Sequence, residues 1–304
     1  GASNTAIGQY ALQAATTTND NTAVGASALT ANTGGASTTG IGSGALSANT
    51  TGASNTAVGA GSLNDNTTGA NNVALGRNTL SLNVTTSSNT AIGHEALKAN
   101  TASNNTAVGN AALVANTTGA SNTAMGHSAL AASTTGTENV AVGMYALDAS
   151  GAGTDGSYNV AVGNDALGAN TEGQFNVGIG RRALYANTVA DENTAVGYLA
   201  LMANTTGDSN TAIGVSALQA NTTASDNIAI GNRTMSANTT GTRNIAIGYS
   251  AYTGSDTEND NIAIGYNAMT TNTAGGTTNI ALGNYALDAL TSGDGNIAIG
   301  HNAL

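Results

Sequence analysis

The chain has 304 residues, no Pro, Cys or Trp, a single Phe, and a formal charge of −11 from 17 acidic and six basic side chains. That balance excludes the basic face nucleic acid requires and any pull toward anionic lipid, and no apolar run approaches the roughly 18–20 residues that cross a bilayer. Without Cys there is no disulfide framework and no thiolate metal site, and the Ala, Thr, Asn, Ser and Gly that dominate are too small or polar for a thick globular core.

Order comes instead from repetition. The run from Asn21 to Thr33 follows the pattern N-[T/V/I]-A-[I/V]-G-x-x-A-L-x-A-N-T, which recurs eighteen times around anchor glycines from Gly8, Gly25 and Gly42 through to Gly265, Gly283 and Gly300. Fourteen of the seventeen intervals between anchors are 17 residues, and the others are 16, 18 and 20. The longest interval contains an extra loop between Asp148 and Tyr158. The array begins inside a repeat at Gly1 and stops within another at Leu304, so residues 1–304 are expected to be one repeat array from a longer fibre protein.

Along each repeat the columns take distinct duties. Column one is Asn in every repeat except the one with Thr38. Column two is always β-branched, Thr nine times, Ile five and Val four, and suits a strand. Column four is always Ile, Val, Leu or Met. Residues two apart on a strand share a face, so columns two and four are expected to fill the core. Column nine, Leu in fifteen repeats and otherwise Met235, Tyr252 or Met269, closes that core. Column three, which is Ala apart from Gly40 and Gly178, is then expected on the opposite face in close contact with another surface. Ala57, Ala91 and Ala195 represent this expected interface. A second Asn column runs through Asn32, Asn49 and Asn66 to Asn238, and both Asn columns are expected to stack as amide ladders. With Gly mid-unit, turn residues every repeat and no period of 3.6, helix is rejected. Three larger apolar residues per coil do not offset the ordering of its backbone, which implies association.

The motif N-T-A-[I/V]-G-x-x-A-L resembles the head repeats of trimeric autotransporter adhesins, and still more the repeats of bacteriophage tail-fibre proteins. The resemblance covers the whole chain. It implies an all-β fold, a parallel β-solenoid (left-handed β-roll) of about 18 coils, with three chains side by side as a homotrimer. In that family the β-branched residues fill the roll and the small residue between them lies at the trimer contact. The repeat here is longer than the adhesin unit, which implies a longer turn. The implied function is a structural or adhesive fibre shaft, in a virion tail fibre or on a cell surface. A bacterial adhesin head is the alternative.

Groups that could carry other chemistry do not assemble in the sequence. Gly151-Ala152-Gly153-Thr154-Asp155-Gly156 matches a dinucleotide fingerprint but lacks the flanking strand and helix. His94, His127 and His301 each follow an anchor Gly, far apart and in no metal-binding spacing. Acidic residues such as Asp191, Asp208 and Asp260 precede the first Asn, without the ligand spacing of a calcium loop. No enzyme activity and no cofactor are expected. An ice-binding solenoid would need two aligned exposed ranks, and only the Thr33, Thr50, Thr67 column suggests one.

The two residues after each anchor Gly are the variable ones, and they hold all three His, six of nine Tyr and four of five Arg. Tyr and Arg favour recognition surfaces. Tyr145, Tyr198, Arg181, Arg182, Tyr249, Tyr266, Tyr285 and His301 are therefore the receptor-binding candidates, with a cell-surface glycan or protein as partner. Tyr249, Tyr266 and Tyr285 are expected to stack at about 4.8 Å along one edge, while Tyr252, in the Leu column, is expected to be partly buried.

Overall fold

A β-branched residue, a small residue and an aliphatic residue in succession form a three-residue strand in every repeat, and the anchor Gly ends it. The computed structural model describes residues 2–15, 17–149, 156–254, 256–271 and 275–303. By internal packing the chain divides into two compact units, Gly1–Asp155 and Gly156–Leu304. Their boundary falls inside the longest interval between anchors. The first unit carries β1 (Thr5–Ile7), β2 (Thr22–Val24), β3 (Thr39–Ile41), β4 (Thr56–Val58), β5 (Val73–Leu75), β6 (Thr90–Ile92), β7 (Thr106–Val108), β8 (Thr123–Met125) and β9 (Val140–Val142). The second carries β10 (Val160–Val162), β11 (Val177–Ile179), β12 (Thr194–Val196), β13 (Thr211–Ile213), β14 (Ile228–Ile230), β15 (Ile245–Ile247), β16 (Ile262–Ile264), β17 (Ile280–Leu282) and β18 (Ile297–Ile299).

Within each unit every strand pairs in parallel with the strand of the next repeat, column on column, as Thr39 with Thr56 or Ala229 with Ala246. One repeat is therefore one coil of a β-solenoid, as the periodicity predicts, and no helix occurs among the described residues. At about 4.8 Å per coil, the nine strands of a unit extend over roughly 40 Å. The G-x-G-x-x-G match lies outside the described residues except for Gly156.

Axial hydrogen bonds continue around the turns. The column-nine N–H donates to the column-eight carbonyl of the next coil, as Leu29 to Ala45 at 2.9 Å. The anchor Gly N–H donates to the column-four carbonyl of the preceding coil, as Gly59 to Ile41 at 2.7 Å. Anchor glycines sit at φ between 128° and 144°. A Cβ on Gly59 would lie 2.3 Å from the Gly76 carbonyl oxygen, so no other residue fits between successive coils.

Both Asn columns are buried and laddered, as the sequence suggests. In column one, Oδ1 accepts the backbone N–H of the next Asn, as Asn55 from Asn72 at 2.9 Å, while Nδ2 reaches a carbonyl across the coil, as Asn55 to Gly69 at 2.7 Å. In the second Asn column, Nδ2 donates to the preceding amide, as Asn66 to Asn49 at 2.8 Å, and also closes its own turn on the Gly69 carbonyl at 3.0 Å. Asn83 belongs to this ladder too. Where the next coil carries Ser133 in this column, Asn116 Oδ1 is buried without a hydrogen bond. The Thr33, Thr50 and Thr67 hydroxyls each donate to the main-chain carbonyl of the following coil at 3.0–3.3 Å.

The two faces of the strands are reversed from the sequence expectation. Column three is the interior one: Ala57, Ala91 and Ala195 are each 0% exposed, so they are not an interface between chains. Columns two and four point outward, with Ile41 at 38%, Met125 at 45% and Ile264 at 37% exposed. The cause is the width of the coil. A Cβ at Gly40 would lie 3.3 Å from both the Ala45 carbonyl oxygen and Leu29 Cγ, so the wall opposite column nine accepts only Ala or Gly. The interior is filled by two Ala and one Leu per coil with the two Asn columns. In this chain the β-branched residues therefore do not fill the roll as they do in the resembling family. Column nine itself lies in the left-handed region, as Leu29 at φ 51°. This conformation costs a Leu about 1–2 kcal/mol, comparable to what its complete burial returns.

Two variants test these assignments. Ala195→Leu should overpack the interior and cost about 1–3 kcal/mol, whereas Ile213→Thr on the outer face should cost under about 1 kcal/mol, read by chemical denaturation. Asn204→Asp removes the donors to Gly207 and Asn187 and buries a carboxylate, at a cost of about 3–5 kcal/mol at neutral pH. Burial raises the pKa of the new carboxyl above its unfolded value, so the penalty should shrink as pH falls through that raised pKa. Melting curves of this variant at several pH values check the sign.

Candidate functional site

The edge that follows each anchor Gly is where side-chain identity is free of packing duty. The column-seven N–H bonds the column-six carbonyl of the preceding coil, as Asn267 to Tyr249 at 3.1 Å and Tyr285 to Tyr266 at 2.9 Å. These bonds stack side chains of successive coils on one another. Column seven takes the left-handed conformation, as Tyr285 at φ 58°, which turns its side chain outward beside column six.

In the second unit this edge forms a continuous aromatic strip. Tyr249 and Tyr266, both from column six, stack with centroids 5.4 Å apart and planes 11° from parallel. Tyr285 meets Tyr266 at 5.3 Å and 66°, and His301 meets Tyr285 at 5.8 Å and 60°. The change from stacked to edge-on has a local cause. Asn284 occupies column six of its coil and turns its Oδ1 onto the Tyr266 N–H at 2.9 Å, so the next ring comes from column seven. Tyr249, Tyr266 and His301 are exposed and Tyr285 is half-buried. Desolvation, and then Tyr266, push the Tyr285 phenol above its usual pKa. Because neighbouring rings cover one another, the strip offers mainly ring edges and phenol oxygens to a partner.

The other candidates lie apart from the strip. Arg181 stands over the Tyr198 ring at 5.9 Å, and Arg182 stacks on Tyr185 at 4.5 Å with its Nε buried and unpaired. Arg182 is therefore engaged against its own coil. In the first unit Tyr145 meets His127 edge-on at 5.4 Å, and His94 is exposed. Among the described residues no group of three or more His, Asp or Glu is placed to hold a metal ion. The exposed Asp260 pairs with Arg243 through two contacts of 2.7 and 2.9 Å, and this guanidinium holds its carboxyl below the usual range.

Two features escaped the sequence reading. Tyr158 and Phe175 stack at 5.0 Å with planes 3° apart and are 44% and 54% exposed. They lie on another edge, just before the first Asn, and their signal was one shared column a repeat apart. Tyr252 is fully buried rather than partly, and its hydroxyl accepts from Asn261 Nδ2 at 2.5 Å. Nearby, Glu258 stands in a column usually filled by Gly and is only 3% exposed. Its carboxylate accepts the N–H groups of Asp256, Thr257 and Gly275 at 3.0–3.1 Å, which compensates the buried charge.

No protein-family model matches the chain, and no curated protein matches it.

The contrast between two tyrosines of one coil is measurable. Tyr252→Ser should cost about 3–5 kcal/mol through the cavity and the lost hydroxyl contact. Tyr249→Ser should stay within about 0.5 kcal/mol. Thermal melting of the two variants side by side checks the difference.

Proposed function

We propose that this chain is the shaft of an adhesive fibre, of the bacteriophage tail-fibre kind, that presents one edge of its solenoid to a receptor on a cell surface. The observation that carries the reading is the Tyr249–Tyr266–Tyr285–His301 strip, a largely exposed run of aromatic side chains on successive coils whose interior columns serve packing and axial bonding. A scaffold held by repeated backbone and amide ladders suits a load-bearing rod, because each coil contacts only its neighbours and the array extends by repetition. The strip recognises its partner, a glycan or a protein, through phenol hydroxyls and ring edges. A bacterial adhesin head would use the same array in the same way.

Ice binding is the weaker reading. The Thr33, Thr50 and Thr67 hydroxyls are spent on main-chain carbonyls. Columns two and four point outward, but most column-two residues are only half-exposed and column four is aliphatic throughout.

Changing Tyr249, Tyr266 and Tyr285 together to Ser should leave the melting temperature nearly unchanged and weaken adsorption to receptor-bearing cells by about tenfold or more. Cell-pelldown and glycan-array binding of the intact chain and the triple variant give the readout. Unchanged adsorption would make this segment a spacer and move recognition elsewhere.

A further inference from the structure

Charge is spread unevenly around the coils of the second unit. Between Gly156 and Leu304 the chain has 11 carboxylates and only four Arg. Three of those Arg, Arg181, Arg182 and Arg233, stand in the two columns after the anchor Gly, and from β11 to β18 these columns hold no carboxylate. Asp165, in the coil before Arg182, and Asp288, beside Tyr285, mark the ends of this stretch. Among the described residues none of the three Arg forms an ion pair, whereas Arg243, before the first Asn, is closed by Asp260. Axial bonds fix their spacing: the Leu199 N–H donates to the Arg181 carbonyl at 3.2 Å, Arg233 to Val215 at 2.9 Å and Ser250 to Asn232 at 3.0 Å. Arg181 and Arg182 share one coil, and Arg233 follows three coils later, about 14 Å along the edge. Tyr249, the first ring of the aromatic strip, belongs to the very next coil.

We infer that this edge takes a linear acidic polysaccharide, with Arg181, Arg182 and Arg233 holding its carboxylate, sulfate or phosphate groups and the tyrosine strip its hydroxyl-bearing sugars. The inference rests on the proposal that this is the receptor-binding edge, and it specifies the chemistry of the receptor. Arg181 over Tyr198 and Arg182 on Tyr185 use the faces of their guanidinium groups. The terminal N–H fork stays available, and it matches the paired oxygens of such acids. Shape selects a slim partner. From β11 to β18 the edge is about 34 Å long and two residues, about 7 Å, wide, which makes about 240 Å². A folded protein needs about 800 Å² from one side. Charge spacing then separates a polysaccharide from single-stranded nucleic acid. Nucleic acid carries a phosphate at every nucleotide and lays its bases on open aromatic faces. Here the cations come as one pair and a single Arg three coils away, and Tyr249 and Tyr266 cover one another. A chain with acid groups on some sugars and hydroxyls on the rest fits both halves of the edge.

The test is an array of linear polysaccharides, neutral or bearing uronate, sulfate or phosphate groups, with a single-stranded oligonucleotide alongside. It is probed with the intact chain, with Arg181→Gln/Arg182→Gln and with Arg233→Gln. The intact chain should bind acidic polysaccharides about tenfold or more better than neutral ones, and the acid group it prefers identifies the source of the charge. Both variants should lose that preference. Arg233 is exposed, so its replacement should leave the melting temperature unchanged and separate lost binding from lost folding. Equal binding to neutral and acidic chains would overturn the inference. So would a preference that survives both variants, or an oligonucleotide bound as well as the acidic polysaccharides. Adsorption to receptor-bearing cells separates this inference from the reading beneath it. Loss in the Tyr249, Tyr266 and Tyr285 triple variant but not in the Arg variants would overturn the acidic ligand alone. Unchanged adsorption in all of them would overturn the receptor-binding edge as well.

Discussion

Equivalent atoms of successive coils are joined by hydrogen bonds along the solenoid axis, and the rest of the structure depends on that register. Strands of three residues would be unstable alone, yet each pairs column on column with its neighbour, and the same pairing continues through the Gly, Leu and Thr turns. The amide ladders exist because register puts Asn over Asn, where one Oδ1 meets the next donor. The anchor Gly exists because the coils approach so closely that a Cβ on it would collide with backbone above. A buried amide normally carries a desolvation penalty. Here the ladder supplies a partner from the next coil, so two of the five interior side chains of a coil can be polar.

The same tight winding decides which side chains go inside. Two Ala and one Leu with two Asn fill the coil, and the larger Ile and Val have no room. They are placed on the outer side of the strands, where β-branched residues still favour extended backbone. The solenoid is thus apolar outside along one face because it is slim within. The thin interior also leaves each coil dependent on what lies above and below it.

The variable and aromatic side chains are left to the edge after the anchor Gly. Axial register converts a chance of sequence, Tyr in neighbouring repeats, into a row of rings at 5.3–5.4 Å, one pair stacked and the next edge-on. Stacking commits ring faces to one another and leaves hydroxyls and edges outward, which changes the kind of ligand contact available. Where one repeat uses Asn284 to cap a neighbouring N–H, the ladder shifts to Tyr285 and the rings turn. Small differences between repeats therefore shape the surface without disturbing the scaffold.

Repeat length, coil count, the parallel pairing, the anchor Gly, both Asn ladders and the aromatic strip were all legible in the sequence. Each follows from identity recurring at a fixed spacing, and stacking in register translates spacing directly into contact. The sequence also showed that columns two and four share one side of the strand. It could not show which side, because a period of two is unchanged when the strand is turned over. The left-handed conformation of Leu29 and its equivalents was equally hidden, since Leu carries no preference for it, unlike the Gly, Asn and Asp that some repeats place in column seven. Only the closed coil decided these points: the distance from column three to the Leu of the adjacent coil admits Ala and excludes Ile, so the strand faces its small residue inward.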